Sequence, residues 1–494
     1  MTETIRAYIV ILVLGSFSFW KLAKPYSSIF SNTAFSHFRN TWLVLVTFIF
    51  ILPNFWLFIA AALIFLLAYL PKPPDQRVIY YFLLLCILPN MTETIPGFGG
   101  IRFFFDLSYN RFLILLLLVP IFINNGQRNP HHFQLFNVRS DILIVLFISI
   151  QAVLSLRDNT ITNAFRESLM LMLDIFIPYY IISRHVNTLE QFNRVLAALL
   201  LSISILALLG LFEAGKHWLL FSKLRNPLGG GGYDVRAGNL RVIASFGSPI
   251  IFGYALMIGF GLLLYMKPLL KWNYLFYINA TILFIAELAT VARGPWLGFA
   301  ILILVYILTG KEKLKKFAQG TLLLVVFIPL LSLTPFWEKF VQLLPFVGTV
   351  RSDTISYREQ LFKMSWIVIK KNPFFGSTTY LETPEMESMR QGQGIIDLVN
   401  YYIQISLKSG LVGLMLFILI FAGLIFTVYR LLKIIPKENE DLIRLGRVLI
   451  AILSAILFVI STVSSIDYIP IFYWAFAGLT AGYVYMTRKF INNL

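Results

Sequence analysis

Charge is what this 494-residue chain has least of. Only 13% of its residues are Asp, Glu, Lys or Arg, while 58% are hydrophobic. A soluble domain carries about a quarter charged residues, so a polytopic membrane protein is the class that fits. Acidic residues are the scarcer sign: 24 Asp and Glu stand against 41 Lys and Arg, a formal net charge of +17. In so apolar a chain this excess reads as positive-inside bias and contact with anionic lipid or substrate, with no nucleic-acid partner. Cysteine is nearly absent. Cys86 sits alone in the apolar run YYFLLLCILP, which excludes a disulfide framework and a cysteine metal site. No internal repeat is visible. The run Gly229–Gly232 lacks a following Lys-Ser/Thr, so it reads as a spacer and not a phosphate loop. The N-terminal stretch MTETIRAYIVILVLGSFSFWKLAK has an acid ahead of its apolar run and no small-residue cleavage site. It is expected to be a first membrane helix.

What is present is a long series of apolar segments. Helices are expected near 7–23, 40–53, 55–71, 77–92, 110–124, 139–156, 166–184, 193–213, 250–266, 273–291, 294–310, 317–334, 404–429, 443–464 and 468–487. Pro53 and Asn54 leave 40–71 as either two short helices or one kinked helix. The expected fold is therefore all-α and polytopic, with about 14–15 transmembrane helices. The chain divides into N-terminal transmembrane helices (1–213), central helices with arginine-bearing loops (214–334), a large loop (335–402) and C-terminal transmembrane helices (403–494). The basic run from Lys311 to Lys316 should be cytoplasmic, which puts 335–402 and 214–249 on the outer side. The large loop has equal numbers of basic and acidic residues, as an outer loop should. By contrast, 214–249 keeps Lys216, Lys223, Arg225, Arg236 and Arg241 against Asp234, and basic residues held against the topological bias need a use.

Three outward places carry chemistry. In the first, Arg236 and Arg241 precede Gly247-Ser-Pro249 at a helix start. Free backbone N–H groups and arginine forks suit an anion there; contact with lipid phosphates is the plain alternative. The second is Arg293-Gly-Pro-Trp-Leu-Gly298 at the junction of two spans, where a lone arginine can also simply snorkel. The third is the large loop. Its stretch 357–371 places Leu361, Met364 and Val368 on one face, with Glu359 and Lys363 spaced to pair on another. That pattern suits an amphipathic helix on the membrane surface. Trp337, Phe340, Phe346 and Trp366 read as interfacial aromatics, and Asn372-Pro-Phe-Phe-Gly376 as the end of the helix. Glu382, Glu385, Glu387 and Asp397 are the candidate general bases. Asp174 and Glu287 lie within spans, where a carboxylate is costly and marks either function or interhelical bonding. The histidines His37, His131, His132, His185 and His217 fall mostly in inner turns, with no metal-site pattern.

In order and spacing these motifs resemble the O-antigen ligase and polymerase superfamily. Arg293-Gly-Pro-Trp-Leu-Gly298 looks like the family's Arg-Gly/Ser-x-Trp-Leu-Gly turn. A long loop with Tyr357-Arg358 follows, then Asn372-Pro-Phe-Phe-Gly376, then Asn400-Tyr-Tyr-Ile403 running into Lys408-Ser-Gly-Leu-Val-Gly413. Arg241-Val-Ile-Ala-Ser-Phe-Gly-Ser-Pro249 is similar to the family's upstream arginine and Gly-x-Pro segment. The resemblance covers roughly 235–430; Ile95-Pro-Gly-Phe-Gly-Gly100 and Phe105-Asp-Leu-Ser108 look closest to members that polymerise exopolysaccharide.

The resemblance implies a membrane glycosyltransferase of GT-C-like architecture, inverting and independent of metal or other cofactor. Such an enzyme transfers a glycan from a polyprenyl diphosphate carrier on the outer side of the bacterial cytoplasmic membrane. Arg236 or Arg241, Arg293 and Arg358 would hold the diphosphate, with Tyr357 and Asn400 beside the substrate and Asp397 as base. A chain-length regulator and a flippase would be partners, besides membrane lipid. One departure stands out. The ligases carry a histidine just before the Asn-x-Tyr segment, and here that position is Val399. This turns the expectation toward a repeat-unit polymerase. A ligase onto lipid A core or protein is the same-class alternative. A transporter of polysaccharide or lipid-linked sugar, or a non-catalytic scaffold, are those of a different class.

Overall fold

The computed structural model describes residues 2–71, 73–97, 99–100, 102–128, 138–224, 233–236, 238–311, 315, 341, 352–391, 394–465 and 467–493. The N-terminal helices are α1 (Thr2–Tyr26), α2 (Asn32–Ile51), α3 (Phe55–Tyr69) and α4 (Pro74–Leu84). A hairpin of β1 (Thr92–Pro96) and β2 (Phe103–Ser108) leads into α5 (Tyr109–Leu113), which continues through a π turn into α6 (Val119–Arg128). Next come α7 (Arg139–Asp158), α8 (Ile161–Leu171), a second π turn, α9 (Ile177–His185) and α10 (Leu189–Lys216). A two-residue hairpin, β3 (Val235–Arg236) with β4 (Asn239–Leu240), precedes α11 (Pro249–Met266), α12 (Leu275–Ala289) and α13 (Arg293–Leu308). The large loop holds α14 (Ser352–Lys371) and the short α15 (Pro384–Glu387). The chain ends with α16 (Tyr401–Ile434), α17 (Glu440–Ile460) and α18 (Tyr468–Asn492).

Among the described residues eight helices, α1, α2, α7, α10, α11, α16, α17 and α18, are long and apolar enough to cross a membrane. Shorter apolar helices are α3, the run from Tyr109, α12 and α13. The chain is an all-α, multi-pass membrane protein. The ambiguous stretch 40–71 is two helices: Leu52-Pro53-Asn54 breaks it, and the Asn54 carboxamide oxygen caps α3 by accepting from Trp56 N and Leu57 N. The expected span 77–92 is helical only as far as Leu84, because the chain leaves it for the β1–β2 hairpin. That hairpin pairs Thr92 with Ser108 and Thr94 with Asp106. The expected span 317–334 lies outside the described residues, as does most of the basic run that follows Lys311.

Small residues let the central helices approach closely, the usual device where no hydrophobic effect drives helices together in lipid. A Cβ on Gly259 of α11 would stand 2.7 Å from Ile203 of α10, and one on Gly298 of α13 would stand 2.4 Å from Val459 of α17. At one end of the bundle lies a buried network in which Asp141 accepts from Arg184 at 2.6 Å, Tyr179 at 2.6 Å and Val138 N at 3.1 Å. The opposite end gathers the ends of α4, α7, α10, α12 and α17 and the starts of α8, α11, α13, α16 and α18. Cross-links there include Ser245 to the Cys86 carbonyl at 2.5 Å, Val242 N to the Ala289 carbonyl at 3.3 Å, and Tyr402 to the Leu457 carbonyl at 2.9 Å. This end carries the large loop and is called the loop face below.

Candidate active site

The turn between α12 and α13 is the rigid base of the site. Thr290 closes α12 by donating its hydroxyl to the Glu287 carbonyl at 2.7 Å, and Trp296 reaches back to the same carbonyl at 2.8 Å. Val291 takes φ = 49°, an uncommon conformation for a β-branched residue that the surroundings must hold. Two arginines supply the hold. Arg241 donates to the Thr290 carbonyl at 3.1 Å and Arg236 to the Val291 carbonyl at 3.2 Å. The half-buried Arg293 then leads α13, where the first backbone N–H groups add positive potential.

Arg241 is not open to a ligand in the way its sequence position suggests. It is 6% exposed and pairs with Asp234 at 2.6 Å, so its geometry fits holding the β3–β4 hairpin against the turn. Lys223 likewise pairs with Glu3 at 3.5 Å. Much of the unexpected positive charge of 214–249 is thus tied to structure; Arg225 lies outside the described residues.

The large loop brings three further candidates to this turn. Tyr357 donates to the Asp397 carbonyl at 3.1 Å, Arg358 donates to the Thr462 carbonyl at 3.1 Å, and the Ser464 hydroxyl donates to Asp397 Oδ1. Arg358 is exposed by surface area, yet its guanidinium loses water to the protein around it, and this lowers its pKa. Asp397 opposes that shift and Arg293 adds to it, so all three charges share one neighbourhood. Burial also raises the Tyr357 phenol, chiefly by desolvation. Asn400 is a helix cap: its side-chain oxygen accepts from Tyr402 N at 2.9 Å and Ile403 N at 3.2 Å.

The loop has its own small core of Leu361, Val368, Ile369, Tyr380, Met386, Met389, Leu398 and Leu407. This corrects the reading of α14 as a helix that lays Leu361, Met364 and Val368 on the membrane. That face is buried inside the loop, and the exposed apolar face holds Phe362 and Trp366, stacked 6.4 Å apart. The expected Glu359–Lys363 pair is present at 2.7 Å. The loop docks through its Asn372-Pro-Phe-Phe-Gly376 motif, which fills a break in α16 at Gly410. Leu411 N donates to the Pro373 carbonyl at 2.8 Å, Val412 N to that of Phe374 at 3.2 Å, and Ser377 N to that of Leu407 at 2.9 Å. The end of α7 completes the joint, where Arg157 donates to the Gly376 carbonyl at 2.8 Å and Asp158 accepts from Thr378 N at 2.7 Å.

The other acids fall elsewhere. Glu385 pairs with Lys371 at 2.5 Å and Glu387 with Arg390 at 2.6 Å, while Glu382 is exposed. Of the four acids considered as base, Asp397 is the one beside the arginines. Asp174 takes a two-pronged bond from Arg111, at 3.0 and 2.7 Å. Glu287 is 2% exposed with both carboxyl oxygens unpartnered among the described residues. His37 stacks on Tyr69, His185 lies 3.8 Å from Asp75, and His217 caps α10 with φ = 49°. His131, His132, Trp337, Phe340 and Phe346 lie outside the described residues. Cys86 is buried. Among the described residues no group of three His, Cys, Asp or Glu is placed to hold a metal ion.

Two features escaped sequence reasoning. Glu213, fully buried at the end of α10, accepts from Leu220 N at 2.9 Å, Ile243 N at 3.1 Å and Ala244 N at 3.0 Å. It pins both ends of the arginine-bearing segment. An acid in the last turn of a long apolar helix was the available signal. The second is the α17–α18 connection, which offers Thr462 and Ser464 to the site. Its short, uncharged run Ser461-Thr-Val-Ser-Ser465 carried no signal at all.

The assembled site therefore offers two arginines and a helix N-terminus facing a carboxylate that is held by a serine hydroxyl. It can bind an anionic group and present a proton acceptor next to it. None of the curated proteins compared with this chain matches it. Residues 278–418 match the family model described as O-Antigen ligase. The matched stretch contains Arg293, Arg358, Asp397, Asn400 and the Gly376–Gly410 joint, and over that stretch the match supports the resemblance to the O-antigen ligase/polymerase superfamily.

Proposed function

We propose that this protein is a membrane glycosyltransferase that joins oligosaccharide repeat units carried on polyprenyl diphosphate into exopolysaccharide or O-antigen. The reaction takes place at the loop face, on the outer side of the cytoplasmic membrane. The observation that carries the reading is that Arg358 bonds the Thr462 carbonyl two residues before the Ser464 that holds Asp397, while Gly294, next to Arg293, packs against the same Thr462. Breaking the glycosyl–phosphate bond leaves negative charge on the diphosphate. Arginine forks fixed where that charge develops stabilise it more in the transition state than in the ground state. Arg293 and Arg358 take this role without a metal, and Arg236 supports Arg293 through the turn. Asp397 accepts the proton of the acceptor hydroxyl, which attacks the anomeric carbon from the face opposite the leaving group and inverts it. The bond from acceptor oxygen to anomeric carbon forms, the bond to phosphate oxygen breaks, and the lipid diphosphate departs with the electron pair. Val399, at the position where the ligases carry a histidine, favours polymerase over ligase.

The test is deletion of the gene followed by analysis of what accumulates. A lipid-linked single repeat unit supports the polymerase. Full-length polymer left on the carrier lipid makes the protein a ligase, and unchanged glycan rejects both.

A further inference from the structure

A cavity of about 210 Å³ opens on the loop face, between α7, α8 and its following π turn, α16 and α18. Its lining includes none of Arg293, Arg358 or Asp397. It is walled instead by Gln151, Asp174, Gln404, Lys408 and Ser409, with aromatic faces from Tyr401, Tyr473 and Trp474. Gln151 is 9% exposed and Ser409 is 2% exposed. Neither side chain has a hydrogen-bond partner among the described residues, although both line the cavity. Their polar ends are open to the cavity and not sealed within the bundle, so a ligand's hydroxyls can take the hydrogen bonds that the protein leaves to them. Asp174 is held by Arg111 and Lys408 by Glu167 at 3.4 Å, and the cavity presents one charge of each sign. That balance does not suit a diphosphate. Carboxamides, a hydroxyl and a fixed carboxylate around flat aromatic rings suit a sugar, whose rim donates and accepts while its C–H face packs on a ring.

The cavity is smaller than the roughly 300–1,000 Å³ that encloses a drug-sized ligand, so it takes one ring of a longer chain. Its position says which. Tyr401 follows Asn400 and closes the same segment that carries Asp397, and Ser465 adjoins Ser464. Lys408 and Ser409 are aimed by the break at Gly410, so docking of the loop shapes this cavity together with the arginine site. We propose that the cavity holds one ring of a neutral acceptor glycan, behind the hydroxyl that reacts. This rests on the glycosyl-transfer reading above.

The test is photo-crosslinking in cells that make the glycan. Full-length protein carrying p-benzoylphenylalanine in place of Met170, or of Ile405 if the first variant does not insert, is irradiated and purified. The expected result is an adduct that takes up hydrazide label after periodate oxidation. Gln151→Ala and, separately, Ser409→Ala should each reduce it about five-fold, the worth of one hydrogen bond, in protein that inserts like the wild type. An adduct carrying phospholipid alone, no adduct, or a carbohydrate adduct that neither substitution weakens overturns the proposal. The gene deletion fails separately: unchanged glycan there rejects the transferase, while the label on the cross-link reports the cavity by itself.

Discussion

Gly410 opens α16 to the carbonyl of Phe374. Its φ of 65° breaks the helix, and a Cβ there would stand 2.2 Å from that oxygen. Gly376 answers from the other side with φ = 57° and a would-be Cβ 2.4 Å from the Leu407 carbonyl. Only glycine meets both demands, since any side chain meets backbone and pays a left-handed penalty as well.

Gly410→Ala should therefore undock the loop at a cost on the order of 2–3 kcal/mol, read as a lower melting temperature and faster proteolysis across 372–402. Gly423→Ala, on the same helix with open space around it, should change stability by less than about 0.5 kcal/mol. Equal behaviour of the two variants would sink the docking joint.

Arg293→Ala should lower polymer formation by about 10²–10³-fold, the usual effect of removing a preorganised electrostatic group, with normal membrane insertion by immunoblot. Arg293→Lys should fall between, because a lysine keeps the charge and loses the fork. Wild-type polymer length and amount from Arg293→Ala would remove this residue from the site.

Asp397→Asn should cut turnover about 10²–10⁴-fold, as expected for loss of a general base. Ser464→Ala removes only the hydroxyl that holds the carboxylate, and should cost about ten-fold or less. The check is initial rate with lipid-linked repeat unit in liposomes. Full turnover by Asp397→Asn moves the base elsewhere.

Glu213→Gln should destabilise the protein by about 1–3 kcal/mol. A carboxylate accepts three backbone N–H groups here, and a carboxamide has one accepting oxygen. Thermal unfolding and tryptic cleavage at Arg236 provide the readout. An unchanged melting temperature would mean that the freed N–H groups find other partners.

The membrane class, the helix series and the break at Pro53-Asn54 were legible because lipid imposes a one-dimensional rule. A span must be long, apolar and internally hydrogen-bonded, and each of these is a property of consecutive residues. The turn at Arg293 and the Asn372–Gly376 motif were legible for a similar reason, since Gly and Pro restrict the backbone locally. The value of each charged group was not. Arg241 and Arg358 look alike in sequence, yet one is buried against Asp234 and the Thr290 carbonyl while the other lies beside Asp397. Four acids were candidates for the base, with Asp397 preferred, and the structure shows Lys371 and Arg390 taking two of the others. The inward face of α14 was readable from its spacing, but its covering was not, because a 3.6-residue period says only that one face is apolar. Pairing, burial and convergence join residues as distant as Arg358 and Thr462 or Arg111 and Asp174. The sequence by itself therefore determined which segments enter the membrane and where the chain turns. Tertiary structure alone decided which charges are spent on architecture and which meet at the site, because electrostatic worth depends on neighbours and lost water and not on position in the chain.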